Sequence, residues 1–133
     1  MEVQVRLFES KAFGRFARSN DITDADLWEA VERAEKGLID ADLGGKVIKQ
    51  RIARDGAGKS GGFRSIVFYM AGIKAVFVYG FEKSALDNIS PKELKAFKDA
   101  AKIVLNLSDE KFATAIKAGA FIEVPKPGSA GEK

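Results

Sequence analysis

Basic side chains that can surround a phosphate are concentrated in one short stretch of the chain, residues 44–64. The stretch holds six basic residues, one acid and six glycines, whereas the whole chain has a net charge of only +3. Arginine presents several N–H donors in a planar fork, so it suits the charged phosphorane formed when RNA is cleaved by its own 2′-hydroxyl. Lysine can act there as acid or base when neighbouring charge and burial lower its pKa. The stretch therefore predicts a polyanion site. Its basic residues are Lys46, Lys49, Arg51, Arg54, Lys59 and Arg64.

Two residue types that usually carry catalysis are missing from the chain, because its 133 residues include no histidine and no cysteine. Histidine is the usual general base near neutral pH and the commonest metal ligand. Its absence excludes Ser-His-Asp triads, paired-histidine ribonuclease chemistry and most zinc and iron sites. Without cysteine there is no disulfide, no thiolate zinc site and no thiol nucleophile. Any catalysis must use Lys, Arg, Tyr, Asp or Glu, and we expect no metal and no cofactor.

The glycine-rich part of the stretch contains two patterns that resemble nucleotide-binding loops. Residues 56–61 (GAGKSG) match the G-x-G-x-x-G dinucleotide pattern, and residues 58–60 match the end of a P-loop. Both patterns work only when a helix follows the loop, and here a strand is predicted to follow. The P-loop also needs a glycine where this chain has Ala53. We reject both interpretations, which leaves a hairpin loop that is either simply flexible or functional.

Apolar spacing predicts two helices before the basic stretch. Phe8, Phe13 and Phe16 recur at helical intervals, which predicts a helix over residues 8–19. A Thr-x-x-Asp capping box at Thr23 opens a second helix, for which Gly37 is a natural C-cap. We expect the two to form a helical hairpin with one apolar face.

Four strands are predicted next, over residues 38–43, 47–54, 63–71 and 74–82. Alternation along the second strand puts Lys49 and Arg51 on one face and Ile48 and Ile52 on the other. The third and fourth strands are joined by a short turn at Gly72, which predicts an antiparallel hairpin.

The C-terminal part predicts two more helices. Ser90-Pro91-Lys92-Glu93 has the residue types of a helix start, and Ser108 opens a shorter helix. Residues 121–124 form a candidate last strand. The expected architecture is one α+β domain over residues 1–124 with a disordered tail over 125–133. No long apolar run or signal sequence is present, so we expect a cytoplasmic protein that does not contact membranes.

Three segments of the chain resemble the RelE/ParE superfamily of toxins from type II toxin–antitoxin systems, and in particular its phage- and plasmid-associated RelE/HigB-like branch. The resemblance covers residues 8–124, and its most specific pieces are KQRIAR, GKSGGFR and FVYGFEKS. The segments read LIDADLGGKVIKQRIARDGAGKSGGFR, VFVYGFEKSALDNI and LSDEKFATAIKAGAFIEV.

The resemblance implies a RelE/ParE-like fold, in which an N-terminal helical hairpin packs on a curved antiparallel sheet of about four strands, here with additional C-terminal helices. It also implies a toxin that enters the ribosomal A site and cleaves messenger RNA without a metal, leaving a 2′,3′-cyclic phosphate. The implied inhibitor is a cognate antitoxin, expected to be a helix-turn-helix DNA-binding protein.

By the same resemblance, the catalytic residues are Lys49, Arg51, Arg64 and Lys83. Lys46, Arg54 and Lys59 become flanking contacts to RNA phosphates. Where several relatives have a tyrosine this chain has Ile89, so the acid and base stay open. Glu82 and Asp87 are the nearby carboxylates that could replace a missing base, and Tyr79 is interpreted as core.

Three alternatives to this function remain at the level of sequence. The basic residues could form a solvated sheet face or a protein-binding patch. A related fold serves non-catalytic toxins of the ParE kind, which poison DNA gyrase. The chain could also be an inactive module whose basic face binds an acidic antitoxin segment.

Overall fold

The computed structural model of the chain describes residues 4–54, 58–82 and 89–127, with the side chains of residues 54 and 58–61 left aside. None of the helices in these ranges is long and apolar enough to cross a membrane. The elements in chain order are β1 (Arg6–Ser10), α1 (Lys11–Ser19), α2 (Asp24–Glu35), β2 (Ala41–Gly44), β3 (Val47–Arg54), β4 (Gly58–Met70), β5 (Lys74–Glu82), α3 (Pro91–Leu105), α4 (Asp109–Lys117) and β6 (Phe121–Glu123).

The strands form one mostly antiparallel sheet in the order β2-β3-β4-β5-β1-β6. Strands β2 to β5 pair antiparallel with their neighbours, β1 pairs parallel with β5, and β6 pairs antiparallel with β1. The α+β class is therefore confirmed. The sheet has six strands in the described ranges rather than about four.

The strand that the sequence pattern did not predict is β1, which lies between β5 and β6, where a helix is predicted from Phe8 onward. That prediction is wrong for residues 8–10. Leu7 and Phe8 are both fully buried, in the cores on opposite sides of the sheet. A strand suits such residues because successive side chains point to opposite faces. The helix begins only after Ser10, whose side chain accepts a hydrogen bond from the Phe13 N–H at 3.1 Å.

Strand β4 begins five residues before the predicted Phe63, and β2 begins three residues later than predicted. The start of β4 is not predicted from the sequence, because its glycines show no alternation of apolar and polar residues. In this strand a glycine is needed for close packing: an added Cβ at Gly62 would collide with the carbonyl oxygen of Ile52 on β3. A strand, and no helix, follows the GAGKSG loop, in agreement with the rejection of a dinucleotide site.

Each face of the sheet has its own apolar core and its own pair of helices. Residues of α1 and α2 pack on one face, with Ile48, Ile52 and Phe63. Residues of α3 and α4 pack on the other, with Val47 and Ile66. The predicted capping boxes are confirmed at both long helices, at Thr23–Asp26 and at Ser90–Glu93. The sheet thus lies between two helical layers.

A buried glutamine holds β3 in position on the α1/α2 face. Gln50 donates to the carbonyl oxygens of Ala30 and Leu38 at 3.0 and 3.1 Å and accepts from the Asp40 N–H at 3.0 Å. Ser65 on β4 donates to the carbonyl oxygen of Gln50 at 2.8 Å. Because these bonds fix the orientation of β3, the residues on either side of Gln50 must face the α3/α4 side of the sheet.

The last predicted boundary, a single domain ending at residue 124 with a disordered tail, stays a prediction. Residues 125–127 belong to the described ranges, and the rest of the predicted tail lies outside them.

Candidate functional site

The strand register brings three of the predicted basic residues together on the α3/α4 face. Arg51 on β3 lies directly opposite Arg64 on β4, and Lys49 lies opposite Ile66. Directly opposite residues of antiparallel strands share a face, with Cβ atoms roughly 5 Å apart. The predicted alternation of β3 is therefore confirmed. We call Lys49, Arg51 and Arg64 the basic row.

Arg64 has an unusual environment within the basic row. Its Nη1 atom is buried and has no hydrogen-bond partner in the part of the chain that the structure describes. The residue directly opposite is another arginine, which adds repulsion rather than a partner. A buried cationic donor without an acceptor is destabilising, because it has lost water and gained nothing. An anionic oxygen bound at this point would remove that cost.

Arg51 differs from Arg64, because a carboxylate holds it. Its backbone N–H donates to Asp40 Oδ2 at 2.6 Å, and its Nε lies 3.5 Å from Asp40 Oδ1. Arg33 on α2 completes the group, with Nη1 at 3.7 Å from Asp40 Oδ2 and Nη2 donating to the Arg51 carbonyl oxygen at 2.5 Å. The Arg51 side chain stays 37% exposed. Arg51 is thus oriented and partly neutralised by Asp40, whereas the described residues supply no acceptor to Arg64 Nη1.

Asp40 and Arg33 are site residues that the sequence analysis missed. Asp40 immediately precedes β2, and Arg33 belongs to a helix on the opposite face of the sheet. Neither position takes part in a periodic pattern, and their contact with Arg51 bridges distant parts of the chain. The signal in the sequence was an acid just before a strand that runs beside a basic one.

Tyr79 is not a core residue, contrary to the interpretation from sequence, because it is 48% exposed. The reason is a β-bulge. Val67 pairs with Phe77 while the preceding Ile66 pairs with Tyr79, so Val78 is an extra residue in β5. The bulge puts Tyr79 on the same face as Ile66 and hence in line with Lys49.

Tyr79 belongs to an aromatic group beside the basic row. Its ring centroid lies 5.7 Å from that of Phe81 and 5.9 Å from that of Phe97 on α3. Phe81 in turn pairs in register with Arg64. The basic row is therefore flanked by a partly exposed aromatic ring that two neighbours hold in place. Ile89 packs against the α3/α4 core.

The structure does not bring all predicted residues to this face. Glu82 pairs with Phe63, whose side chain belongs to the α1/α2 core, so the register points Glu82 away from Arg64. Lys46 lies in the β2–β3 turn, at the far end of β3 from Arg51. Lys83 and Asp87 lie outside the described residues, as do the side chains of Arg54 and Lys59.

The chemistry available on this face is that of positive charge next to an aromatic ring. No group of three or more Asp, Glu, His or Cys residues in the described ranges could hold a metal ion. Two arginines from adjacent strands can donate to one phosphate, a lysine lies beside them, and a tyrosine ring can stack on a base.

Comparison with known proteins gives one family match. The model of a family described as the RelE toxin of the RelE/RelB toxin–antitoxin system matches residues 5–124, which is nearly the whole chain. No curated protein matches the chain significantly.

Proposed function

Because the chain belongs to the RelE toxin family of toxin–antitoxin systems, we propose that it is a toxin that cleaves messenger RNA on the ribosome. The observation that carries this proposal is the buried Nη1 of Arg64, which lacks a hydrogen-bond partner in the described ranges and lies opposite Arg51. A phosphodiester is a better partner for two facing arginines than any group that the described residues provide.

The proposed reaction needs only groups of this kind. The 2′-oxygen of the RNA attacks the adjacent phosphorus, the bond to the 5′-oxygen breaks, and a 2′,3′-cyclic phosphate is formed. Arg51 and Arg64 hold the phosphate oxygens and stabilise the extra charge of the phosphorane. One proton must leave the 2′-hydroxyl and another must reach the 5′-oxygen.

Lys49 and Tyr79, in the row next to the two arginines, are the described groups on this face that can exchange these protons. Lys83, the predicted fourth catalytic residue, follows β5 directly and is a further proton donor in this proposal. Tyr79 also provides a surface on which a base can stack.

The absence of histidine also leads us to expect that cleavage depends on the ribosome. Without histidine, the site has no group whose ordinary pKa lies near neutrality. Positioning of the RNA in the A site must then supply much of the rate enhancement. We therefore expect little cleavage of free RNA. A cognate antitoxin, expected to be a helix-turn-helix protein, is the proposed inhibitor.

The proposal is tested by translation in vitro. Addition of the protein should stop synthesis and yield a cut messenger with a 2′,3′-cyclic phosphate end. Arg64→Ala should relieve the arrest, whereas Lys117→Ala, an exposed lysine on α4, should not. Arrest without cleavage would contradict the nuclease proposal. Inhibition of supercoiling by purified gyrase would instead support a toxin of the ParE kind, and inhibition of neither would leave an antitoxin-binding module.

A further inference from the structure

A second basic group lies at the other end of β3, around the β2–β3 turn. Lys46 in the turn and Lys98 and Lys102 on α3 line a cavity of about 440 Å³, together with Asn106. We call these three lysines the turn–helix cluster. The resemblance implies no functional residue on α3, and for Lys46 it implies only a contact that flanks the basic row.

The turn is shaped to accept Lys98. An added Cβ at Gly44 would lie 3.3 Å from Lys98 Nζ, and one at Gly45 would lie 3.1 Å from Lys98 Cγ. The two glycines therefore leave room for the lysine stem to cross the turn. Lys46 follows them with a φ of +65°, in a left-handed conformation that a lysine seldom adopts. Lys102 lies one helical turn after Lys98, on the same side of α3.

The charges of the turn–helix cluster have no counterion among the described residues. The ion pairs of this part of the protein include none of its three lysines, although Lys95, elsewhere on α3, pairs with Asp99 at 3.0 Å. Asp99 also lines the cavity, so the nearby carboxylate is already engaged. Three unpaired cations around one cavity create a local positive potential that attracts an anion.

The position of the cluster indicates which anion. Ala101 and Leu105 pack with Val47 in the α3/α4 core, so the cluster opens at the end of the face that carries the basic row. Along β3, Lys46 is roughly 10 Å from Lys49 and 17 Å from Arg51, given a rise of about 3.3 Å per residue. A nucleic acid strand presents phosphates at repeated intervals over such a distance.

An acidic protein segment fits the cavity less well. A peptide usually needs exposed apolar anchors beside its charged contacts. Ile103 on α3 is an exposed large apolar side chain next to Lys102, but it is not among the residues that line the cavity. The apolar residues that do line it (Met70, Ala101 and Leu105) already pack in the α3/α4 core.

We propose that the turn–helix cluster is a second phosphate-binding subsite, which holds the RNA backbone a few nucleotides from the bond at the basic row. This inference rests on the proposed function for the identity of the strand. Phosphates of messenger RNA and of ribosomal RNA offer the same chemistry, so the experiment must separate these two sources.

The test compares two double variants of equal charge. Lys98→Gln/Lys102→Gln keeps much of both methylene stems, and Lys111→Gln/Lys117→Gln removes two exposed lysines of α4. Binding of a fluorescent single-stranded RNA is measured by anisotropy at several salt concentrations. The slope of log affinity against log salt should fall by about 1.4 for the first variant, since each contact to a single strand contributes about 0.7. It should be unchanged for the second.

Binding is measured both to the free oligonucleotide and to ribosomes that lack messenger, which separates messenger RNA from ribosomal RNA as the source of the phosphates. Loss of binding to the free oligonucleotide supports a messenger contact, and loss only with ribosomes that lack messenger supports ribosomal RNA. Equal slopes and affinities for both variants and wild type, in both arms, would overturn the subsite. A selective loss of binding to poly-glutamate would overturn it in favour of an acidic protein segment.

The outcome for the subsite is separable from that for the nuclease. If wild-type protein cleaves messenger but the slopes are equal, the proposed function stands and the subsite fails. If wild-type protein cuts nothing but the slope falls as expected, the subsite stands as an RNA-binding site without the nuclease. Equal thermal midpoints of the two double variants establish that any difference does not come from unfolding.

Discussion

The two faces of the β3–β4 pair differ in whether their buried polar groups have hydrogen-bond partners. On the α1/α2 face, Gln50 and Ser65 have hydrogen-bond partners within the protein. In the next pair of the register, on the α3/α4 face, Arg51 lies opposite Arg64, and Arg64 Nη1 lacks a partner in the described part of the chain. Polar groups that only build the fold are expected to be satisfied internally. The contrast therefore supports the proposal that one face stabilises the sheet while the other binds a ligand.

The substitution Arg64→Met tests the difference between the two faces most directly. It keeps the apolar stem of the side chain and removes the charge. We expect cleavage on the ribosome to fall by about 10²- to 10³-fold, because one donor to the phosphorane is lost. Stability should be unchanged or higher, because the substitution removes a buried N–H donor that has no acceptor among the described residues. Cleavage assays and urea unfolding measure the two effects. A large loss of stability would mean that Arg64 builds the fold, and the comparison would fail.

The opposite result is expected for Gln50→Ala. This substitution leaves the carbonyl oxygens of Ala30 and Leu38 and the Asp40 N–H without their partner. We expect the free energy of unfolding to fall by about 2–3 kcal/mol. Cleavage by the fraction that remains folded, measured at a temperature well below the transition, should fall far less than in Arg64→Met, because Arg51 and Arg64 are both retained. Thr114→Ala, an exposed substitution on α4, is the control.

Tyr79 tests the same difference between the faces, since it lies on the α3/α4 face and is 48% exposed. Tyr79→Ala should weaken the cleavage reaction by about tenfold, as expected from the loss of one stacked base at roughly 1–3 kcal/mol. Tyr79→Phe keeps the ring and separates stacking from proton transfer. Activity retained in Tyr79→Phe identifies a stacking role. Activity lost equally in both variants identifies the hydroxyl as the important group.

The smallest expected effect concerns Glu9, the buried acid of β1, whose Oε2 lies 3.6 Å from Arg18 Nη1. Burial raises the pKa of Glu9 above its ordinary value of 4.5, and Arg18 offsets part of this change. Because the folded pKa is the higher one, the native state binds the proton more tightly than the unfolded state. The stability that protonation provides is present below about pH 4.5 and is lost as the pH rises through the folded pKa.

Relative to Glu9→Gln, wild-type protein should therefore lose stability between pH 4 and pH 7. Urea unfolding of both proteins across this range measures the difference, with Glu110→Gln on the exposed surface of α4 as the control. A wild-type protein that instead gains stability relative to Glu9→Gln as the pH rises would show that Arg18 outweighs burial.

The sequence was sufficient for features set by local pattern. Alternation along β3 placed Lys49 and Arg51 on one face, and Ser90 with Glu93 marked the start of α3. The features it missed depend on contacts between distant residues. Phe8 has helical spacing with Phe13, but burial on both sides of the sheet makes it part of a strand. Tyr79 faces the basic row only because of a bulge in β5, and alternation alone does not reveal a bulge.

The position of β1 in the sheet has a consequence for how the protein is assembled. Strands β2 to β5 follow one another and pair with their neighbours, so this meander can form from contacts close in sequence. Strand β1 pairs with β5 and with β6, and both partners are far along the polypeptide. Such distant pairings slow folding. The strands that carry Lys49, Arg51 and Arg64 thus belong to the part that we expect to form first, and we expect β1 and β6 to complete the sheet afterwards.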